Sequence, residues 1–505
     1  MKILLITASF EDEQRSQEIQ DNSHYPIGLG YLHSFVESKG HHAKTLFLND
    51  YNPDECTNIV VGNVEELNPD VIGFQVLTGN RVTSFRLIEH IDIHYPDIKI
   101  IIGGIHATVM YEQILTKYPF ITVILGEGEI TVSEYLDNRN SMENIKGIAF
   151  NSNGKIIKTS DRPLIENLDD LPFPKHEIFF NEIRRSGCIL TSRGCPFSCT
   201  FCCLCSMSQR KVRYRSVKNV VDEIEYMAKN FKEMNSVWIH DDSFMLNNQR
   251  VIEFCNEVVA RGIRKEFICS GRMKPVNRQM IKAMEKAGFK HVLFGLESGA
   301  EEILRTSRKA ITKEDAIRAF TLFSESSIKT TAFLIVGLPG ETPETVKETI
   351  ELVQTLQKIK YTFFGDIGIL FVYPGTEVYE IAKTKGYIDD NYWLTDNTTP
   401  FYTVDNSIET LNDFKETILN HIALDRIFTP AGFTAQKNMI SYILKDHNAR
   451  NRLINLLLSR IITKKTTQKL KKILGLDRKT RKERLAVLKK TLEISLSGIR
   501  NLLKN

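Results

Sequence analysis

The stretch Thr191-Ser192-Arg193-Gly194-Cys195-Pro196-Phe197-Ser198-Cys199-Thr200-Phe201-Cys202 decides how the rest of the chain is read. Cys195, Cys199 and Cys202 form a C-x3-C-x2-C run on one tight loop. Three thiolates so spaced hold three irons of a four-iron, four-sulfur cluster and leave the fourth iron without a protein ligand. Such an iron binds a substrate or cofactor directly, whereas a cluster held by four cysteines stores electrons. A structural zinc site wants four ligands in paired spacings, and no second Cys or His pair stands at a suitable distance. Disulfides are disfavoured in a cytosolic chain. Five of the nine cysteines fall between Cys195 and Cys205, which argues against chance. Cys203 and Cys205 lie just beyond the motif. Cys188, Cys255 and Cys269 have apolar neighbours and read as small core residues.

With 505 residues, two or three domains are expected. Hydrophobic content of 42% and charged content of 25% are those of a soluble globular protein. No apolar run reaches the roughly 18 residues a membrane span needs, and Met1–Thr7 is too short for an export signal. Together with an oxygen-sensitive cluster, this places the chain in the cytoplasm. The net charge of +4 is uneven: residues 451–505 hold sixteen Lys or Arg against three Asp or Glu, so the remainder is net acidic.

Before the motif, short Val/Ile runs at 3–6, 43–47, 71–76, 98–102 and 121–125 alternate with amphipathic stretches such as 28–38. This pattern predicts a doubly wound parallel sheet over residues 1–140. Ligands of such sheets bind at the carboxyl ends of strands, which run out into Thr78-Gly79-Asn80, Gly103-Gly104-Ile105-His106-Ala107-Thr108 and Gly126-Glu127-Gly128-Glu129. The plain alternative is that these are tight strand-to-helix turns. Asp169, Asp170, Pro172 and Pro174 mark 141–180 as a linker.

From 181 to 400, candidate strands at 188–191, 236–239, 266–269, 291–294, 331–336 and 366–371 alternate with helices, predicting a partial (β/α)6 barrel. Catalytic groups of such barrels sit at the carboxyl ends of strands. There stand His240-Asp241-Asp242, Ser270-Gly271-Arg272, Gly295-Leu296-Glu297-Ser298-Gly299, Gly337-Leu338-Pro339-Gly340-Glu341 and Tyr373-Pro374-Gly375-Thr376. Singly these are weak signals. Asp241 and Asp242 could cap a helix, and Glu341-Thr342-Pro343-Glu344 reads as a helix start.

The cysteine loop, with Phe201 as its aromatic, resembles the signature of radical S-adenosylmethionine (SAM) enzymes. The resemblance implies that the open iron is chelated by the amino and carboxylate groups of SAM, which the reduced cluster cleaves to methionine and a 5′-deoxyadenosyl radical. It assigns Cys195, Cys199 and Cys202 to the cluster and makes Phe201, Asp242, Ser270, Arg272, Glu297, Ser298 and Gly337 candidate SAM contacts. Pro26-Ile27-Gly28-Leu29-Gly30-Tyr31-Leu32, together with the Gly103 and Gly126 loops, is similar to the cobalamin (B12)-binding domain of one large branch of these enzymes. Thr78, Gly103, Gly104, His106, Thr108, Gly126, Glu127 and Gly128 are then the candidate cobalamin contacts. One departure is that Thr7-Ala8-Ser9-Phe10-Glu11-Asp12 lacks the Asp-x-His-x-x-Gly run that supplies a lower cobalt ligand in other cobalamin domains. His106 reads as a polar loop contact instead.

The implied activity is methylation of an unactivated carbon in a natural-product, lipid or tetrapyrrole intermediate, with an electron donor such as flavodoxin or ferredoxin. The alternatives are a cobalamin-dependent cyclase or rearrangement enzyme that does not methylate, a methylthiotransferase, and a non-enzymatic cobalamin sensor. A methylthiotransferase needs three further amino-terminal cysteines, and only Cys56 precedes the linker. A sensor has no use for the cysteine motif. The 401–505 region reads as helical, its basic end suiting either a solvated lid or the anionic inner face of a membrane. No nucleic-acid module is recognised, so no nucleic-acid partner is expected.

Overall fold

The computed structural model describes residues 1–10, 26–139, 141–180, 186–360 and 362–427. One compact unit, Met1–Ile418, contains two large sheets.

In the first sheet, β1 (Lys2–Thr7), β2 (His42–Phe47), β3 (Val71–Gln75), β4 (Lys99–Gly103) and β5 (Thr122–Ile124) run parallel in the order β2-β1-β3-β4-β5. All five expected strands appear within one residue at each end. Ile3–Ile6, Ile72 and Ile100–Ile102 are buried because helices cover both faces, which is why these strands read as unbroken apolar runs. The order reverses between β1 and β3, and at that switch point the carboxyl ends of the strands leave a crevice.

The stretch expected as a linker differs. β6 (Ile148–Ser152) and β7 (Lys155–Lys158) add an antiparallel hairpin to the sheet edge through β5. Asn153-Gly154 forms the turn, with φ of +51° and +82°. That is the two-residue Asn-Gly signal of a tight hairpin, which the acidic and Pro-rich run after it obscured. Leu164, Leu168, Leu171 and Phe179 then pack as core.

In the second sheet, β8 (Ser186–Ile189) is followed by a short antiparallel pair, β9 (Ser192–Arg193) and β10 (Arg213–Tyr214). The sheet continues with β11 (Ser236–Ile239), β12 (Glu266–Gly271), β13 (Phe289–Glu297), β14 (Lys329–Val336) and β15 (Phe363–Ile369). Six strands lie parallel in the order β8-β11-β12-β13-β14-β15, a barrel left open between its two edges. Each crossover helix starts on a side-chain cap: Ser216, Asn247, Asn277, Thr312 and Thr342 each accept an N–H from the first turn. Strands β12 and β13 run further than expected, so Ser270, Gly271 and Gly295–Glu297 are strand residues rather than loop residues.

Helix Ile408–Ile427 opens the carboxyl-terminal region. The rest of the expected helical tail, including its basic run, lies outside the described residues. Among the described residues no helix is long and apolar enough to cross a membrane.

Candidate cluster and cofactor site

The loop carrying the three cysteines is tied at its root. Asp241, at the end of β11 and only 3% exposed, accepts from Thr191 N (2.6 Å), Thr191 Oγ1 (2.6 Å), Ser192 N (3.1 Å) and Ser192 Oγ (2.6 Å). It is therefore a strut under the loop and not a helix cap. Asp242 accepts from Gly194 N at 2.9 Å, and burial pushes its carboxyl up to about 6. Gly194 has φ +96°, and a Cβ there would run into the Lys211 carbonyl, so the loop can turn only on glycine. Thr200 N donates to the Ser307 carbonyl at 3.1 Å, pinning the far side.

Cys195, Cys199 and Cys202 are all half-buried and unpaired by disulfides. Burial pushes the Cys195 thiol up, and the Cys202 thiol up to about 12, so bare thiolates are disfavoured here and metal coordination would have to hold them. Among the described residues no three His, Cys, Asp or Glu side chains gather around a single-ion point. A cluster asks for a wider set, one thiolate to each of three irons.

On the inner side of the loop, Arg272 lies 3.6 Å over the Phe197 ring, and its Nη2 donates to the Lys309 carbonyl. Lys309 Nζ sits 2.6 Å from Glu297 Oε1 and 5.9 Å from the Phe201 ring. Ser298 is buried, and its hydroxyl lies 3.2 Å from Thr349 Oγ1 on the crossover helix Pro343–Ile359. Ser270 lies half-buried on the inner face of β12. Gly337 N donates to Glu341 Oε2 at 2.5 Å, and burial pushes the Glu341 carboxyl up to about 7. Thr342 and Pro343 begin their helix as the sequence implied.

A cavity of about 320 Å³ lies at the carboxyl edge of the first sheet. Gly103, Gly104, Gly126, Glu127 and Gly128 form its rim, and Leu5, Leu29, Ile101, Ile124 and Val132 line an apolar trench below. Its other wall comes from the cysteine loop: Ser192, Arg193, Gly194, Leu204, Met207 and Asp242. Arg193 and Arg213 clamp that wall to the first sheet. Arg193 pairs with Glu127 at 3.2 Å and Glu129 at 2.7 Å, and Arg213 pairs with Glu127 at 2.8 Å. Burial alone would raise the Glu127 carboxyl, but the two guanidiniums hold it below its usual value.

Thr78, His106 and Thr108 do not line this cavity. His106, 1% exposed, faces Thr78 Oγ1 at 3.2 Å and the edge of Trp393 at 5.7 Å. Burial, aided by Arg81, drives its imidazole down to about 3, so it is neutral. Thr108 acts through the rim, accepting from Gly126 N at 3.1 Å.

Comparison with known proteins now bears on this geometry. Residues 189–353 match the radical SAM superfamily and residues 21–136 match the B12 binding domain. The chain belongs to the radical SAM proteins that carry a B12-binding domain. This radical SAM protein is 29% identical over 414 residues to an uncharacterized methyltransferase of Pyrococcus horikoshii, covering 80% of this chain and 87% of that one. It is 30% identical over 349 residues to the anaerobic magnesium-protoporphyrin IX monomethyl ester cyclase of Rubrivivax gelatinosus, covering 65% of this chain and 62% of the relative. The structure of the cobalamin-dependent radical SAM enzyme OxsB, with aqua-cobalamin and SAM bound, superposes with a TM-score of 0.72 at 17% identity, over 99% of this chain and 80% of that one. The radical SAM methyltransferase TsrM from Kitasatospora setae gives 0.63 at 19% identity, over 82% of each chain. Both share the fold.

A radical SAM protein with this domain uses a [4Fe–4S] cluster, SAM and cobalamin. The residues present fit all three. The thiols stand on one pinned loop, and the buried Glu297–Lys309 pair beside it offers both signs of charge to a zwitterionic nucleoside. A Cβ on Gly126 would meet nothing within 4 Å and one on Gly128 only ordinary contacts, so the Gly126–Gly128 side of the rim is open above the apolar trench, whereas Gly104 packs its backbone against the Val76 carbonyl. Sequence reasoning missed Lys309, Arg193 and Arg213. Arg193 stood inside the quoted motif. Arg213 finds its partner 86 residues back along the chain, and Lys309 finds Glu297 12 residues back, past the intervening Glu301–Thr306 helix, a separation that no local pattern marks.

Proposed function

We propose that this radical SAM enzyme methylates an unactivated carbon of a small, largely apolar molecule, such as a natural-product, lipid or tetrapyrrole intermediate. The observation that carries the reading is the shared wall of the cavity: glycines of the first sheet face Ser192–Gly194 and Asp242 at the root of the cysteine loop. When bound, the cluster and SAM supply a 5′-deoxyadenosyl radical, and cobalamin supplies a transferable methyl group. The chain's part is to make both groups converge on one carbon. Asp241 fixes the loop root, and the Arg193 and Arg213 clamps fix the first sheet against it.

The interior of the open barrel supports an apolar substrate. Helix-facing Val237, Phe267, Val292 and Ala332 are fully buried, whereas the inner-face residues Ile268, Leu293 and Ile335 keep partial exposure and Phe333 is 39% exposed. A filled barrel would bury them. A flavodoxin- or ferredoxin-like carrier would supply the electron. The basic run at 451–505 would favour the anionic inner face of a membrane. Vesicle co-sedimentation with and without those residues tests that contact, and equal binding by both removes it.

The cyclase relative favours a second reading, ring formation without methyl transfer. Anaerobic reconstitution with cluster, cobalamin, SAM and candidate substrates separates the two. Methylation yields 5′-deoxyadenosine and S-adenosylhomocysteine together; cyclization yields no S-adenosylhomocysteine.

A further inference from the structure

We infer that the outer face of the cysteine loop is the docking surface for a small acidic electron-carrier protein of the flavodoxin type, whose exposed flavin edge enters a cleft between Pro196–Ser198 and the Arg305–Ile311 segment. The inference rests on the radical SAM reading, which requires an electron, and assigns the surface that receives it.

The cysteine loop is a thin wall with a hollow on each side. Its inner side, Ser192–Gly194, faces the cavity at the edge of the first sheet. Its outer side, Pro196–Ser198, forms one wall of a second, open cleft of about 640 Å³, and no residue lines both hollows. A carrier seated in the outer cleft therefore leaves the cofactor cavity free. One contact separates the cleft from a cluster ligand: Cys199 Sγ lies 3.6 Å from the carbonyl oxygen of Arg308, a residue of the cleft wall. The segment facing the loop is strained. Arg308 and Ala310 hold φ of +53° and +55°, which non-glycine residues seldom adopt and which is retained where a surface has work to perform. The turn they make buries Lys309 and leaves Arg308 and Ala310 exposed on the cleft.

The chemistry of the cleft selects the partner. Pro196, Phe197, Leu304 and Ile311 give it an apolar lining, which suits the edge of a planar ring system. Its rim is charged. Lys274 pairs with Asp315, Arg305 with Glu302 and Arg308 with Glu377. In each pair the cation is the more exposed side chain: 61% against 16%, 72% against 60% and 51% against 44%. The rim thus turns its positive groups outward, and such a field steers an acidic protein into contact. An apolar centre within a charged rim is also the anatomy of a protein–protein interface. The electron step is balanced: the flavin hydroquinone anion loses one electron, the oxidised cluster gains it, and no proton moves or bond breaks.

The test uses anaerobically reconstituted holoenzyme with reduced flavodoxin, and dithionite as a small reductant that needs no docking. Titration calorimetry reads flavodoxin binding, and stopped-flow absorbance reads cluster reduction. In the double variant Lys274→Glu with Arg305→Glu, the flavodoxin Kd and the second-order rate of flavodoxin-driven reduction should each worsen about tenfold or more at low salt, within the span of electrostatic steering. The gap should narrow in about 1 M salt, where screening acts within about 3 Å. Dithionite-driven reduction should change little. Lys218→Glu, at an exposed cation on the crossover helix Val217–Asn230, should leave both routes as in wild type. If the double variant does not load its cluster, Arg305→Glu alone decides. An unchanged flavodoxin Kd and rate, or an equal loss with dithionite, overturns the inference while leaving the radical SAM reading intact. A wild-type holoenzyme that accepts electrons but never cleaves SAM overturns the reading itself.

Discussion

Arg213 grips Glu127 with two parallel 2.8 Å hydrogen bonds, joining the strand after the cysteine loop to the glycine loop of the first sheet. Both side chains are mostly buried, and Arg193 shares the same carboxylate. Glu127→Ala leaves two guanidiniums short of a partner and should cost about 3–5 kcal/mol, as for other broken buried pairs. Thermal unfolding checks this. The Glu127 carboxyl is held below its usual value in the folded state. Its contribution is therefore fully present above the unfolded carboxylate pKa of about 4.3 and lost as pH falls through the lower folded value. Glu127→Gln should be less stable than wild type at neutral pH, with the gap closing in acid.

Glu341 has the opposite sign. Burial raises its carboxyl to about 7 while Gly337 N donates to it. The folded state then binds a proton that the unfolded state releases, so stability declines as pH rises from about 4.5 to about 7. Glu341→Gln keeps an acceptor for Gly337 and carries no charge. Its melting temperature should change less than that of wild type between pH 5 and pH 8 (roughly the titration window).

Cys195, Cys199 and Cys202 should behave as one unit. Replacing any one with Ala removes an iron ligand and should abolish the visible absorbance of the reconstituted cluster and all 5′-deoxyadenosine release. Cys188→Ala, at a fully buried core position, should retain both with a modest loss of stability.

His106 packs against Trp393 and away from the cavity rim. His106→Ala should lower stability by about 2–3 kcal/mol through a cavity in the core. The absorption spectrum of bound cobalamin should be unchanged; a shift in its visible bands would mean that His106 ligates cobalt.

Local sequence determined a great deal here. The parallel strands of both sheets could be read from short apolar runs bounded by turn residues, and those of the first sheet run unbroken because helices cover both faces. The cluster cysteines were legible because three ligands on one loop are a local pattern. The β6–β7 hairpin was equally local in its Asn153-Gly154 turn, but it was masked by the acidic and proline-rich run that follows. Tertiary structure alone decided which strand-end residues share a site. It set His106 between Thr78 and Trp393, off the cavity lining, while leaving Gly126–Gly128 on the cavity rim. It engaged Arg272 with Phe197 and brought Lys309 to Glu297. It closed the cavity with Arg193 and Arg213 against Glu127. Hydrophobic periodicity is written residue by residue, whereas a buried charge takes its meaning from a partner that only the folded chain brings within 3 Å (roughly one hydrogen-bond length).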